Sequence, residues 1–191
     1  MPSRSTLRPQ HGTPRPLADV AALLGLPAAG APGSVTGVTH DSRQVGPGDL
    51  FAALPGAAAH GAQFGPQAVA AGAAAVLTDP DGAARLDVDV PVLAVPDPRA
   101  RLGEVAALVY GEPAKHLLML GVTGTNGKTT TTYLLEAGLR AAGHRTGLIG
   151  TVETRVGDEH VASVRTTPEA TDVHALLAVM RERGVTACVM E

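Results

Sequence analysis

The sequence predicts an α/β protein in two parts, a small α/β domain followed by a second, incomplete domain on a parallel sheet. Three observations carry this. Short apolar runs alternate with helix-periodic stretches from Val35 onward, a Gly111-Glu112-Pro113 break divides that alternation, and beyond the break a buried strand passes through a glycine-rich turn straight into a helix. With 191 residues, 45% hydrophobic and only 17% charged, the chain can bury a substantial core. Aromatics are 2% of it, so Ala, Val and Leu must fill that core.

The bulk properties also exclude function classes. A net charge of −3 without a long basic run lacks the electrostatic footprint of a nucleic-acid binder, so a phosphate ligand needs a local site. The lone cysteine, Cys188, rules out an intrachain disulfide and a multi-cysteine zinc site, and it agrees with a reducing compartment. Met1 to Pro16 holds Pro and Arg but no apolar run, and reads as a flexible tail rather than a secretory signal. No stretch reaches the roughly 20 uninterrupted apolar residues of a membrane helix, so the cytoplasm is the expected location.

In order along the chain, Leu17 to Leu26 has helical spacing and stops at Gly25 and Pro27. Val35 to His40 alternates like a strand, and Leu50 to Leu54 is a second apolar run after turn residues, forming either a hairpin or a crossover pair. Gln63 to Gly72 is helical in spacing, while Ala73 to Thr78 and Val90 to Val95 read as buried strands. Asp97-Pro98 supplies a cap and a first-turn proline for a helix reaching about Tyr110. These residues, 17 to 111, form the first domain, and 112 to 191 the second.

The second domain is more regular. His116 to Val122 is predicted as a buried strand, Lys128 to Ala142 as an amphipathic helix, and Arg145 to Gly150 as a strand. Thr151 to Val156 and His160 to Val164 pair as a hairpin across Gly157-Asp158. Thr171 to Arg183 is a helix, and Val185 to Glu191 a last buried strand. A β-α-β run that stops on a core strand is expected to be part of a larger nucleotide-binding sheet.

The segment LMLGVTGTNGKTTTTYLL places Gly124, Thr125, Asn126, Gly127, Lys128, Thr129 and Thr130 between strand and helix, the context a phosphate-binding loop requires. Gly124 and Gly127 let backbone N–H groups approach phosphate oxygens, and the helix start adds its positive dipole end. Lys128 would reach the β- and γ-phosphates of ATP, and the Thr129 hydroxyl would hold Mg²⁺ between them. The spacing is a variant, with Val122 where the common loop has its first glycine. Glu191 ends a strand expected beside the loop strand, where acidic residues hold or orient Mg²⁺, although a polar residue also suits a strand's exit from the core.

This loop resembles the ATP loop of the Mur ligase family, which also includes folylpolyglutamate synthase. His40-Asp41-Ser42-Arg43, Gly48-Asp49-Leu50-Phe51-Ala52-Ala53-Leu54-Pro55-Gly56, Leu148-Ile149-Gly150-Thr151 and Thr166-Thr167-Pro168-Glu169 extend the resemblance over residues 17 to 191. They point to the branch that adds the third amino acid to UDP-N-acetylmuramoyl-L-alanyl-D-glutamate, covering its N-terminal and part of its central domain. The resemblance implies a uridine-nucleotide-binding first domain, with His40 and Ser42 on the substrate, and Thr166 and Thr167 near its muramoyl-peptide part. It implies Lys128 as the catalytic cation and Thr129 and Glu191 as Mg²⁺ ligands.

It further implies an ATP-dependent amide ligase of peptidoglycan precursor synthesis, working through an acyl phosphate that an incoming amine displaces. Diaminopimelate is the expected amino acid, with lysine the alternative. The family's carbamylated lysine and amino-acid-binding domain would lie beyond Glu191, so the chain reads as a fragment without turnover of its own. Ser42, Thr166 and Thr167 also suit turn and cap chemistry. The alternatives are folylpolyglutamate synthase, another member of the family, or a nucleotide-binding module without turnover. The α/β domain of roughly 110 residues before the loop argues against the first.

Overall fold

The computed structural model describes residues 8–27, 32–57, 59–161 and 168–191. They fall into two compact units, Gly12–Gly111 and one built mainly of Glu112–Glu191. Among the described residues no helix is long and apolar enough to cross a membrane.

In the first unit β1 (Arg15–Pro16) leads directly into α1 (Leu17–Leu23) and pairs antiparallel with β2 (Ser34–Val35). Two residues of the expected tail are therefore paired backbone. The stretch read as one strand, Val35 to His40, is split. Thr36 N–H donates to Gly48 O at 2.8 Å, and β3 (Gly37–Thr39) then takes a new partner, β4 (Asp49–Ala52), in parallel. The pair is thus a crossover, whose connection contains a 3-10 turn at Ser42–Gln44.

With β5 (Ala75–Thr78) and β6 (Val92–Ala94) these strands form an all-parallel sheet in the order β3-β4-β5-β6. A 3-10 turn at Gly61–Phe64 runs into α2 (Gly65–Ala70). The single-turn α3 (Pro80–Ala83), absent from the sequence reading, is capped by Asp79, whose carboxylate accepts Gly82 N–H at 2.7 Å. Asp97 caps α4 (Pro98–Val109) through Ala100 N–H at 3.0 Å, with Pro98 in the first turn, as its sequence predicts.

Leu50, Ala52 and Leu77 join one apolar cluster with Leu17, Val20, Leu102 and Val105, while the alternate residues Phe51, Ala53 and Val76 join another with Ala68 and Ala73. Burial on both faces explains why these strands read as continuous apolar runs.

The second unit begins with a 3-10 turn at Pro113–His116 and β7 (Leu118–Gly121), followed by α5 (Lys128–Ala141) and β8 (Thr146–Ile149). The hairpin β9 (Thr154–Val156) and β10 (Glu159–Val161), α6 (Ala170–Glu182) and β11 (Ala187–Met190) complete it. The sheet order is β10-β9-β8-β11-β7, with β8, β11 and β7 parallel and the hairpin antiparallel. Gln10 and His11 group with this unit, their N–H groups donating to the Glu182 carboxylate at 3.0 and 2.7 Å.

On one face Leu176, Leu177 and Met180 of α6 pack against Ile149, Val156 and Cys188. Each such buried side chain stabilises the fold by roughly 1.5–3 kcal/mol. Two expectations need correcting here. β7 is not a buried strand: Leu118 is 49% exposed, because among the described strands β7 is hydrogen-bonded only to β11. Nor does α5 turn an apolar stripe inward. Its buried side chains are Thr132 and Glu136, and Leu134 is 69% exposed. The reason lies opposite, where Thr146 of β8 and Arg155 of β9 present polar groups to Glu136.

Candidate functional site

Because β7, β11 and β8 run parallel with Gly121, Met190 and Ile149 in register, their carboxyl ends lie side by side. In open α/β sheets ligands bind at this edge. Three features meet there: the loop from Val122 to Gly127, Glu191 at the end of β11, and the Gly150-Thr151 turn after β8. Backbone bonds fix their level, since Val122 N–H donates to Met190 O at 2.8 Å and Glu191 N–H to Ile149 O at 3.1 Å.

Gly124 has φ 142° and Gly127 has φ 77°, conformations that L side chains resist, so both glycines predicted from the loop chemistry have a backbone reason to be there. Gly127 is also the N-cap of α5, and it brings no side-chain acceptor to the first N–H groups of the helix. Those donors are thus available to an anion. Lys128 folds back, its Nζ donating to Gly124 O at 2.8 Å, which keeps the ammonium at the loop. Thr125 and Asn126 are exposed along the loop and Thr130 on the first turn of the helix.

Thr129 Oγ1 donates to Glu191, at 3.0 Å from Oε2 and 3.3 Å from Oε1. Glu191 Oε1 also accepts Thr151 N–H at 2.6 Å. The Thr151 N–H, helped by the Thr151 and Thr129 hydroxyls and the Lys128 ammonium, outweighs burial and holds the Glu191 carboxyl below the usual range. A Cβ on Gly150 would sit 3.2 Å from Glu191 Oε1, so the absence of a side chain there lets the carboxylate fold onto the turn. Sequence reading used Gly150 and Thr151 only as part of a motif; a backbone donor leaves no mark in residue type.

Among the described residues no three His, Cys, Asp or Glu side chains cluster as a metal cage. A carboxylate and a hydroxyl meeting beside a phosphate-type loop fit Mg²⁺ instead, which takes few protein oxygens and completes its shell with phosphate and water. Thr129 and Glu191 are the residues that could hold it.

In the first unit His40 follows β3, and Ser42 opens the 3-10 turn that Asp41 caps through Arg43 N–H at 3.0 Å. Arg43 folds back on the same carboxylate, Nε to Oδ1 and Nη2 to Oδ2 both at 2.8 Å, and it pulls the Asp41 carboxyl down to about 2. His60 is structural: Nδ1 accepts Ala62 N–H at 3.0 Å, which leaves Nε2–H to face Asp79 Oδ1 at 3.0 Å. Thr166 and Thr167 lie outside the described residues. Burial pushes the Cys188 thiol up to about 12, so it carries no chemistry.

Residues 122–191 match the family model described as Mur ligase middle domain, and residues 34–110 match that described as Mur ligase family, catalytic domain. The chain belongs to the Mur ligase family. Two curated Mur ligases, the UDP-N-acetylmuramoyl-L-alanyl-D-glutamate--2,6-diaminopimelate ligases of Streptomyces avermitilis and Streptomyces coelicolor, are each 60% identical over 185 residues. That is 96% of this chain but 36% of theirs, so the chain spans about a third of the length of these relatives. A solved structure of a ligase with the same name superposes with a TM-score of 0.67 at 27% identity, over 83% of this chain and 32% of the other. The α/β class expected from the sequence is thus that of the Mur ligases.

Proposed function

We propose that the Gly124–Thr130 loop holds the phosphates of ATP, with Lys128 on the β- and γ-phosphates and Thr129 and Glu191 as protein ligands to Mg²⁺. The observation that carries this is the meeting of the Thr129 hydroxyl and the Glu191 carboxylate beside an α5 start without a side-chain cap. The bound cation would supply charge neutralisation on the transferring phosphoryl group. The protein's own part is positioning: loop N–H groups orient the phosphates, Lys128 places a fixed positive charge, and Thr151 N–H sets the Glu191 rotamer. No nucleophilic side chain is needed.

The parent activity that fits is ATP-dependent amide ligation, joining diaminopimelate to UDP-N-acetylmuramoyl-L-alanyl-D-glutamate in the cytoplasm during peptidoglycan precursor synthesis. The names of the Streptomyces relatives support both that acceptor and diaminopimelate over lysine. In this reading residues 17 to 111 form the uridine-nucleotide domain, with His40 and Ser42 at the carboxyl end of β3. Thr166 and Thr167 contact the muramoyl-peptide part.

Calorimetric titration of the chain with MgATP, and separately with UDP-N-acetylmuramoyl-L-alanyl-D-glutamate, tests the two parts. Saturable binding of each is expected. Absence of ATP binding overturns the loop assignment, and preference for a folate over the muramoyl dipeptide overturns the substrate assignment.

A further inference from the structure

Behind the loop, α5 and the start of the hairpin are joined by a polar cluster that no part of the proposed chemistry uses. Glu153 closes the turn after β8 in two ways. Its carbonyl accepts Gly150 N–H at 3.0 Å, and its carboxylate accepts the Tyr133 hydroxyl at 2.7 Å. Tyr133 stands one helical turn beyond Thr129 on the same side of α5. Arg155 lies over the Tyr133 ring, 5.6 Å from its centroid, with Nε 3.1 Å from Glu153 Oε1 and Nη2 3.0 Å from Glu136 Oε2. His160 Nδ1 reaches Glu153 Oε2 at 2.6 Å.

The Gly150–Glu153 turn is therefore tied to α5 at two points. One is the Thr151–Glu191–Thr129 contact; the other, remote from the loop, is at Glu153, which bonds Tyr133 directly and reaches Glu136 of the same helix through Arg155. Glu153 holds the phenol in its neutral, donating form by pushing its pKa up, and Tyr133 in turn holds the carboxylate down. If the second tie is cut, Thr151 N–H loses its fixed place relative to α5, and the carboxylate it orients is freed with it.

We infer that Tyr133 and Glu153 are positioning residues, which set the Glu191 carboxylate against Thr129 by pinning the Gly150–Glu153 turn to α5. This rests on the reading of Thr129 and Glu191 as the Mg²⁺ side of an ATP site. A merely structural role would lower stability, and with it nucleotide binding in general. A positioning role acts on the part of the affinity that depends on the cation.

The test is the affinity of the 191-residue chain for ATP with Mg²⁺ and with EDTA, alongside the melting temperature. Wild type is expected to bind more tightly with Mg²⁺. In Tyr133→Phe and Glu153→Ala that gain should shrink about five- to tenfold, the worth of one hydrogen bond, with affinity in EDTA unchanged. Glu153→Gln, whose amide oxygen still accepts from Tyr133, should stay within about twofold of wild type. Asp158→Asn, on the same hairpin but bonded to Arg140, should change nothing. The inference is overturned if Tyr133→Phe keeps the full gain, or if both variants lose affinity equally with and without Mg²⁺. A wild type that binds ATP without any Mg²⁺ gain, or not at all, overturns the underlying reading and the inference with it.

Discussion

The hydroxyl of Thr129 lies 3.0 Å from Oε2 of Glu191, joining residues 62 positions apart at the carboxyl edge of one sheet. One comes from the first turn of α5, the other from the end of β11, and the sheet order that inserts β11 between β7 and β8 brings them together. If this pair is the cation side of the ATP site, Thr129→Val removes one Mg²⁺ ligand and the hydrogen-bond partner of the other. MgATP affinity should fall at least about tenfold, equivalent to about 1.4 kcal/mol, while affinity in EDTA changes little. Titration under both conditions measures it, and equal losses in the two would point to a damaged fold instead.

Two glycines of α5 separate conformational strain from helix propensity. Gly127 has φ 77° and open space around its would-be Cβ, so Gly127→Ala should cost about 1–2 kcal/mol from backbone strain alone. Gly138 sits in the helix interior, again with nothing near its would-be Cβ, and Gly138→Ala should stabilise by about 0.5–1 kcal/mol. Urea unfolding reads both, and effects of the same sign would contradict the loop geometry.

In the first unit, Asp41 titrates at about 2 because Arg43 holds its carboxylate. A group depressed on folding contributes stability above its unfolded pKa, near 3.8, and loses it as pH falls through about 2. Thermal unfolding of Asp41→Asn should therefore show a lower midpoint than wild type at pH 7. The two should converge between about pH 4 and pH 2. The exposed Arg43 keeps the gap small, since solvent screens the pair. A gap that widens on acidification would mean Asp41 is not stabilising as the anion.

Much of this was legible in the sequence. The glycine-rich loop, the helix it opens and the acidic end of β11 could be read because strand, turn and helix each have a distinct residue pattern. The Asp97-Pro98 cap was legible because cap chemistry is local. Partner exchange was not: Val35 to His40 alternates whether it is one strand or two, and only the pairing of β2 with β1 and of β3 with β4 shows that the two belong to different sheets. Thr151 contributes a backbone N–H that any residue except proline would offer, so its identity carried no signal. The Tyr133–Glu153–Arg155 cluster escaped because its members are joined only when the chain around β9 folds against α5.

The most direct test of the account is the MgATP affinity of Lys128→Ala beside wild type. In the proposed site, removing the ammonium would take away charge-assisted bonds to the β- and γ-phosphates. Saturable binding by wild type is expected, with a loss of about a hundredfold or more in the variant and the melting temperature of the unliganded chain nearly unchanged. Unchanged nucleotide affinity in Lys128→Ala would contradict it.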